Sequence, residues 1–154
     1  MGRHAAWGAA LLRVVLGLIF VLHGYYAYAT LGPAPTARLI GQLGYPEGLA
    51  GALVWYLVIV HAGGGFLLLI GLWTAAAAVA QVPIMASAVF LLHWPQGFFM
   101  HGIVVDAAAG RAIAGGYEYA LLVLAATLAL ILIGPGAGAI DGRRRRPRHR
   151  SFIP

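Results

Sequence analysis

The 154-residue chain has no cysteine and no lysine: all ten basic residues are arginine, and only 9% of residues are charged. Without cysteine, disulfide exchange, thiol catalysis and thiolate-ligated metal are excluded within the chain. A soluble domain carries about 25% charged residues, so this one has too little charge to cover a globular surface. What fills the gap is hydrocarbon: 62% of residues are hydrophobic and the mean hydropathy is +0.87. The solvent of most of the chain is therefore lipid. Paired carboxylates and a Ser-His-Asp spacing are missing, and "GPG" at 134–136 lacks the Lys-Ser/Thr of a phosphate loop, so it is read as a helix stop.

A membrane span needs about 20 mostly apolar residues. Four runs qualify, at about 8–29, 49–71, 74–93 and 117–134. The backbone must satisfy its own hydrogen bonds in lipid, so the runs are expected as helices. The expected fold is an all-α, four-helix transmembrane bundle over residues 1–142, followed by a basic tail, 143–154. The first run reads as a retained signal-anchor, being long and lacking a small-residue cleavage pattern. Spans two and three are joined only by Gly71–Thr74 and form a tight hairpin. The two long links, 30–48 and 94–116, lie together at the other end.

Six of the ten arginines stand in "RRRRPRHR", residues 143–150. Beside membrane spans this cluster reads as a topology and lipid anchor rather than a nucleic-acid site; an acidic cytoplasmic partner is the alternative. With Arg3 and Arg13 on the same side, the positive-inside rule puts both termini in the cytoplasm and the long links outside. The expected location is the bacterial inner membrane. Trp55, Tyr56, Trp94, Phe98, Phe99, Tyr117 and Tyr119, with Tyr25, Tyr26 and Tyr28, then fall at the outer boundary.

At 100° per residue, Arg13, Gly17, Phe20 and Gly24 share a stripe within about 40° on span one. Its glycines allow close backbone approach, as small residues do at membrane helix interfaces; "HAGGG" (61–65) is expected to do the same. Pro83 should free a carbonyl near Val79, and Gln81 and Ser87 should face the bundle.

In order and spacing, several pieces resemble the DoxX family of small four-helix membrane proteins. They are Arg13 with Gly17, "HG" at 23–24, "LGYP" at 43–46, "GGGFLLLIGLWT" at 63–74, "HWPQGFF" at 93–99, "GYEYALL" at 116–122 and "GPGAGAID" at 134–141. The resemblance runs from Arg13 to Asp141. The chain departs from it at Ala27 or Tyr28, where the family commonly has lysine, and at His61, where it commonly has glutamate. The resemblance implies a redox setting: some relatives look like membrane subunits of thiosulfate:quinone oxidoreductases, and others associate with oxidative-stress enzymes.

Ionisable groups inside a membrane are costly and are candidates for function. His23, His93, His101 and Glu118 are expected on the outer half of the bundle, with His61 beneath them. His23, His61, His93 and Glu118 form the candidate cofactor pocket. Its occupant is a quinone head, held by histidine and tyrosine donors, or a b-type haem with His23 and His93 as axial ligands. A zinc or copper site from His93, His101 and Asp106 is the weakest option, and no metal is assigned. The plain alternative is that each histidine makes a satisfied interhelical hydrogen bond, worth about 0.6–2 kcal/mol. Glu118 also suits a helix N-terminus. Arg13 is expected to pair with Asp141 as a structural ion pair, or to snorkel.

Two functions follow. One is a membrane subunit of a quinone-linked redox complex, with a redox partner protein. The other is a non-catalytic anchor or assembly protein for a partner enzyme. Membrane lipids and a second copy of the chain are further candidate partners, nucleic acid is not, and a small-solute transporter is weaker for want of an inverted repeat.

Overall fold

Long apolar runs leave the backbone no partner but itself. In the structure, a computed structural model that describes residues 2–100, 103–106 and 111–141, these runs are helices. Three are long and apolar enough to cross a membrane: Arg3–Leu31, Glu47–Ile70 and Thr74–Gln96.

The first consists of α1 (Arg3–Tyr25) and a π-helical turn, Tyr26–Leu31, and stops at Gly32 with φ 83°. Next comes a short helix, α2 (Pro33–Gln42), whose proline sits in the first turn, where no amide hydrogen is needed. The second long helix comprises α3 (Glu47–Ile59), a π-helical turn Val60–Gly64 and α4 (Gly65–Ile70). The third runs from α5 (Thr74–Ser87) through a π-helical turn, Ala88–His93, into a 3₁₀ turn, Trp94–Gln96. Beyond it, β1 (Ile103–Asp106) pairs antiparallel with β2 (Arg111–Ala114), Ile103 opposite Ala114. Helix α6 (Glu118–Ile133) returns along the bundle.

Three features differ from the sequence-based expectation. The link 30–48 contains α2, and the link 94–116 contains a hairpin, so the described residues are not all helix or loop. The fourth span has 16 residues, about 24 Å at 1.5 Å per residue, short of a hydrocarbon core of about 30 Å. Gly134 and Pro135 end it, as the helix-stop reading of "GPG" requires. His101 and the arginine-rich tail lie outside the described residues.

The side chains are arranged as a lipid solvent demands. Leu132 is 86% exposed and Leu11 and Leu122 67%, whereas Gln81 and Thr127 are fully buried and Arg13 and Thr74 nearly so. A water-soluble fold has the opposite distribution. Helix α1 packs on α4 and the Val60–Gly64 turn, α5 packs on α6, and α2 lies against α3. The α1 stripe is buried as its spacing predicts: Arg13, Gly17, Phe20 and Gly24 all face inward.

The α4–α5 hairpin turns on Gly71, in the left-handed region at φ 68°. Leu72 N–H bonds Leu67 O at 3.0 Å and Gly71 N–H bonds Leu68 O at 3.1 Å, the double bond of a glycine-terminated helix. A side chain at Gly71 would also strike Ala139 at 2.6 Å.

Candidate functional site

One contact between backbones sets the geometry of the site. A Cβ on Gly24 would stand 2.6 Å from Ala62 N, so only glycine lets α1 come this near to the π-helical turn. Gly24 follows His23 and Ala62 follows His61. Their contact makes the two imidazoles neighbours, with ring centroids 6.4 Å apart and planes at 74°. Phe20, one turn before Gly24, lies 5.2 Å from the His61 ring.

Phe20 and the two imidazoles line a cavity of about 110 Å³ together with Ile19, Met85, His93, Tyr119, Ala120 and Val123. His93 arrives at the end of the turn Ala88–His93, and Tyr119 from the first turn of α6. Three histidines from three long helices therefore meet in an otherwise apolar chamber, with one phenol. His61 is buried at 6% exposure, while His23 is open to the surroundings.

The polar atoms behind His61 come from α5. Gly64 leaves room for the buried Gln81 amide, whose Nε2 would stand 3.1 Å from a Cβ at that position. Gln81 Nε2 donates to Val60 O at 2.7 Å. Its oxygen and His61 Nδ1 are both buried without a hydrogen-bond partner. His23 Nδ1 lies 2.9 Å from Ile19 O, one turn back on its own helix.

Glu118, expected at the pocket, is not among the residues lining it. Its carboxylate accepts the Met100 N–H at 2.9 Å, and its own N–H donates to Phe98 O at 3.1 Å. It fastens the segment before the hairpin to the start of α6. Met85 and Tyr119 also take part; the sequence placed Tyr119 only among the boundary aromatics and did not single out Met85. Asp106 stands in β1. Among the described residues, no three histidine, aspartate or glutamate side chains are close enough to hold a metal ion.

Arg13 and Asp141 lie at the opposite end, about the α4–α5 turn. Arg13 donates to Leu68 O at 2.6 Å, Leu69 O at 2.8 Å and Pro135 O at 2.9 Å. The first two are carbonyls at the C-terminus of α4, where a cation is favoured. Asp141 accepts the backbone N–H groups of Trp73 at 2.9 Å and Thr74 at 2.8 Å, at the N-terminus of α5, where an anion is favoured. Their charges attract across the turn, and each satisfies the helix end of matching polarity.

A smaller polar group lies on the other side of α5. Tyr56 Oη donates to Ala80 O at 2.8 Å, one residue from the Val79 carbonyl that Pro83 leaves without its helical donor. Ser87 Oγ donates to Pro83 O at 2.8 Å and meets Tyr45 Oη at 2.6 Å.

The family model for DoxX matches residues 8–94, which includes the α1 stripe, the long helix Glu47–Ile70 in full and most of the other two long helices. Neither a curated protein nor a solved structure shows significant similarity to the chain.

Proposed function

The chain belongs to the DoxX family, and on that premise we propose that this multi-pass membrane protein is a component of a redox system whose histidine cavity receives the ring of a lipid-soluble quinone. The observation that carries the reading is the convergence of His23, His61 and His93 on one small apolar chamber. A quinone supplies two-electron, two-proton chemistry; the residues around it need only seat a flat ring, meet its oxygens and exchange protons. Phe20, Met85 and Val123 suit the first task, and the imidazoles with Tyr119 suit the others. At about 110 Å³ the chamber is well below the roughly 300–1,000 Å³ of pockets for drug-sized ligands. That size suits a head group better than a haem macrocycle.

In this reading the protein lies in a bacterial cytoplasmic membrane with both termini in the cytoplasm, and exchanges electrons with a partner redox protein. The test is extraction of the purified protein and identification of co-purifying quinone, followed by titration with a short-tailed benzoquinone and the matching benzoquinol. Saturable binding of the pair, lost in His61→Ala, is expected. A protein that carries no quinone and binds neither form overturns the reading.

The second reading is a non-catalytic anchor for a partner enzyme. It is favoured by the close α1–α4 seam, where Gly17 and Gly65 bring the two backbones together. It requires that Gly17 and Arg13 variants disperse the complex while His23, His61 and His93 variants leave it active.

A further inference from the structure

Among the described residues that line the histidine cavity, two are exposed: His23 on α1 and Tyr119, at 40%, in the first turn of α6. Ile19, one turn before His23, is half-buried, and His61 lies deep. The cavity therefore opens between α1 and α6. That seam is the loosest of the bundle: α1 packs closely on α4, and α5 on α6, while α1 and α6 touch less. Exposed side chains beside the opening are apolar, with Leu22 at 55% and Leu122 at 67%, so it faces hydrocarbon.

The approach from the end of the bundle where the long links lie is covered. Trp94 directly follows His93, and its indole stacks on Tyr117 with ring centroids 4.7 Å apart. Phe98 meets the same phenol edge-on at 5.4 Å. Three hydrogen bonds fasten residues 97–100 to the start of α6. Tyr117 N–H donates to Gly97 O at 3.0 Å, Glu118 N–H to Phe98 O at 3.1 Å, and Met100 N–H to the Glu118 carboxylate at 2.9 Å. A solute arriving from water would have to part these rings; a molecule dissolved in the bilayer would not.

We infer that the cavity is loaded sideways from the lipid, through the gap between His23 and Tyr119, and that its ligand is a ring on a long apolar tail that lies along the α1–α6 seam. The inference rests on the quinone reading above and adds to it the route of entry and the place of the tail. A chamber of about 110 Å³ suits a ring, so a tail leaves through the opening. There it stays among apolar side chains and lipid. A charged ring without a tail would have to shed its water on an apolar path, which is costly. The competing place for a tail is a groove of about 150 Å³ between α2, α3 and α5, whose lining includes Ile40, Leu57 and Pro83.

The experiment uses the full chain in lipid nanodiscs. Its probe is a decyl benzoquinone with a photoreactive diazirine on the tail close to the ring. The competitors are plain decyl benzoquinone and a tail-free sulfonated benzoquinone. Cross-links that excess decyl benzoquinone suppresses should map by mass spectrometry to residues 15–25 of α1 and 119–126 of α6, and the sulfonated ring should not suppress them. Ile19→Trp, which narrows the opening, should abolish them, and Leu57→Trp, in the groove, should leave them in place. Suppression by the sulfonated ring as strong as by the decyl compound, or cross-links that persist in Ile19→Trp, overturns the inference and leaves the quinone site standing. Suppressible cross-links confined to residues 40–57 and 83–88, or none at all, overturn both the inference and the assignment of the quinone to the histidine cavity.

Discussion

Gly17 on α1 and Gly65 on α4 exclude each other's side chains. A Cβ on Gly17 would lie 2.8 Å from Gly65 O, and a Cβ on Gly65 would lie 2.9 Å from Gly17 O. Two helical turns further along, Gly24 meets Ala62 in the same way. At these positions backbone approaches backbone, as at small-residue membrane interfaces, with Leu69 and Phe20 packed beside the glycines.

Gly17→Ala and Gly24→Ala are each expected to destabilise the bundle by about 1–3 kcal/mol, because the added methyl meets backbone that cannot step aside. Gly63→Ala, in the same glycine run but with nothing within 4 Å of its Cβ, should be neutral. Thermal unfolding in detergent, read by circular dichroism, compares the three. A tolerated Gly24→Ala would remove the reason for the His23–His61 juxtaposition.

Arg13→Leu should cost several kcal/mol. Buried carbonyls left without donors cost on the order of 1–3 kcal/mol each, and Arg13 serves Leu68, Leu69 and Pro135. Arg13→Lys should cost less but not nothing, since a single ammonium cannot reproduce the planar fork. Asp141→Ala should cost about 0.5–2 kcal/mol as the loss of a helix cap. Both residues brace one turn, so the double variant should lose less than the two singles added together, as a double-mutant cycle in detergent can measure.

Glu118→Gln is expected to leave ring binding in the histidine cavity unchanged. Its amide can still accept the Met100 N–H, and the residue does not line the chamber. Tyr119→Phe removes a hydroxyl from the chamber wall and should weaken ring binding. Ligand titration of the two variants beside the unaltered protein decides between the α6 positions.

Because the chain has no cysteine, single introduced thiols report membrane sidedness without background. His4→Cys, exposed at the start of α1, should resist an impermeant maleimide applied to intact cells. Ala34→Cys, exposed on α2, should react. The reverse pattern would turn the proposed orientation over.

The stripe Arg13, Gly17, Phe20 and Gly24 was legible because α1 keeps a regular 3.6-residue period through that stretch. The tight hairpin was legible because only four residues separate two apolar runs. Helix α2 was not, since a ten-residue helix between prolines and glycines looks like a link. Nor were the three π-helical turns: an extra residue per turn shifts the side-chain phase without marking the composition. Glu118 misled because a carboxylate near histidines suggests a shared pocket, whereas the backbone of Met100 was the nearer donor.

Composition by itself determined that this protein is a set of apolar helices in lipid, because a chain with so few charges and such long hydrophobic runs has no other way to satisfy its backbone. Residue order determined which face of α1 turns inward, because helical spacing is local. Only the tertiary structure decided that His61 meets His23 across Gly24 and Ala62, that Gln81 stands behind it, and that Arg13 and Asp141 brace one turn. Those pairings depend on the depth and phase at which separate helices meet, and contacts between distant segments leave no periodic trace in either one.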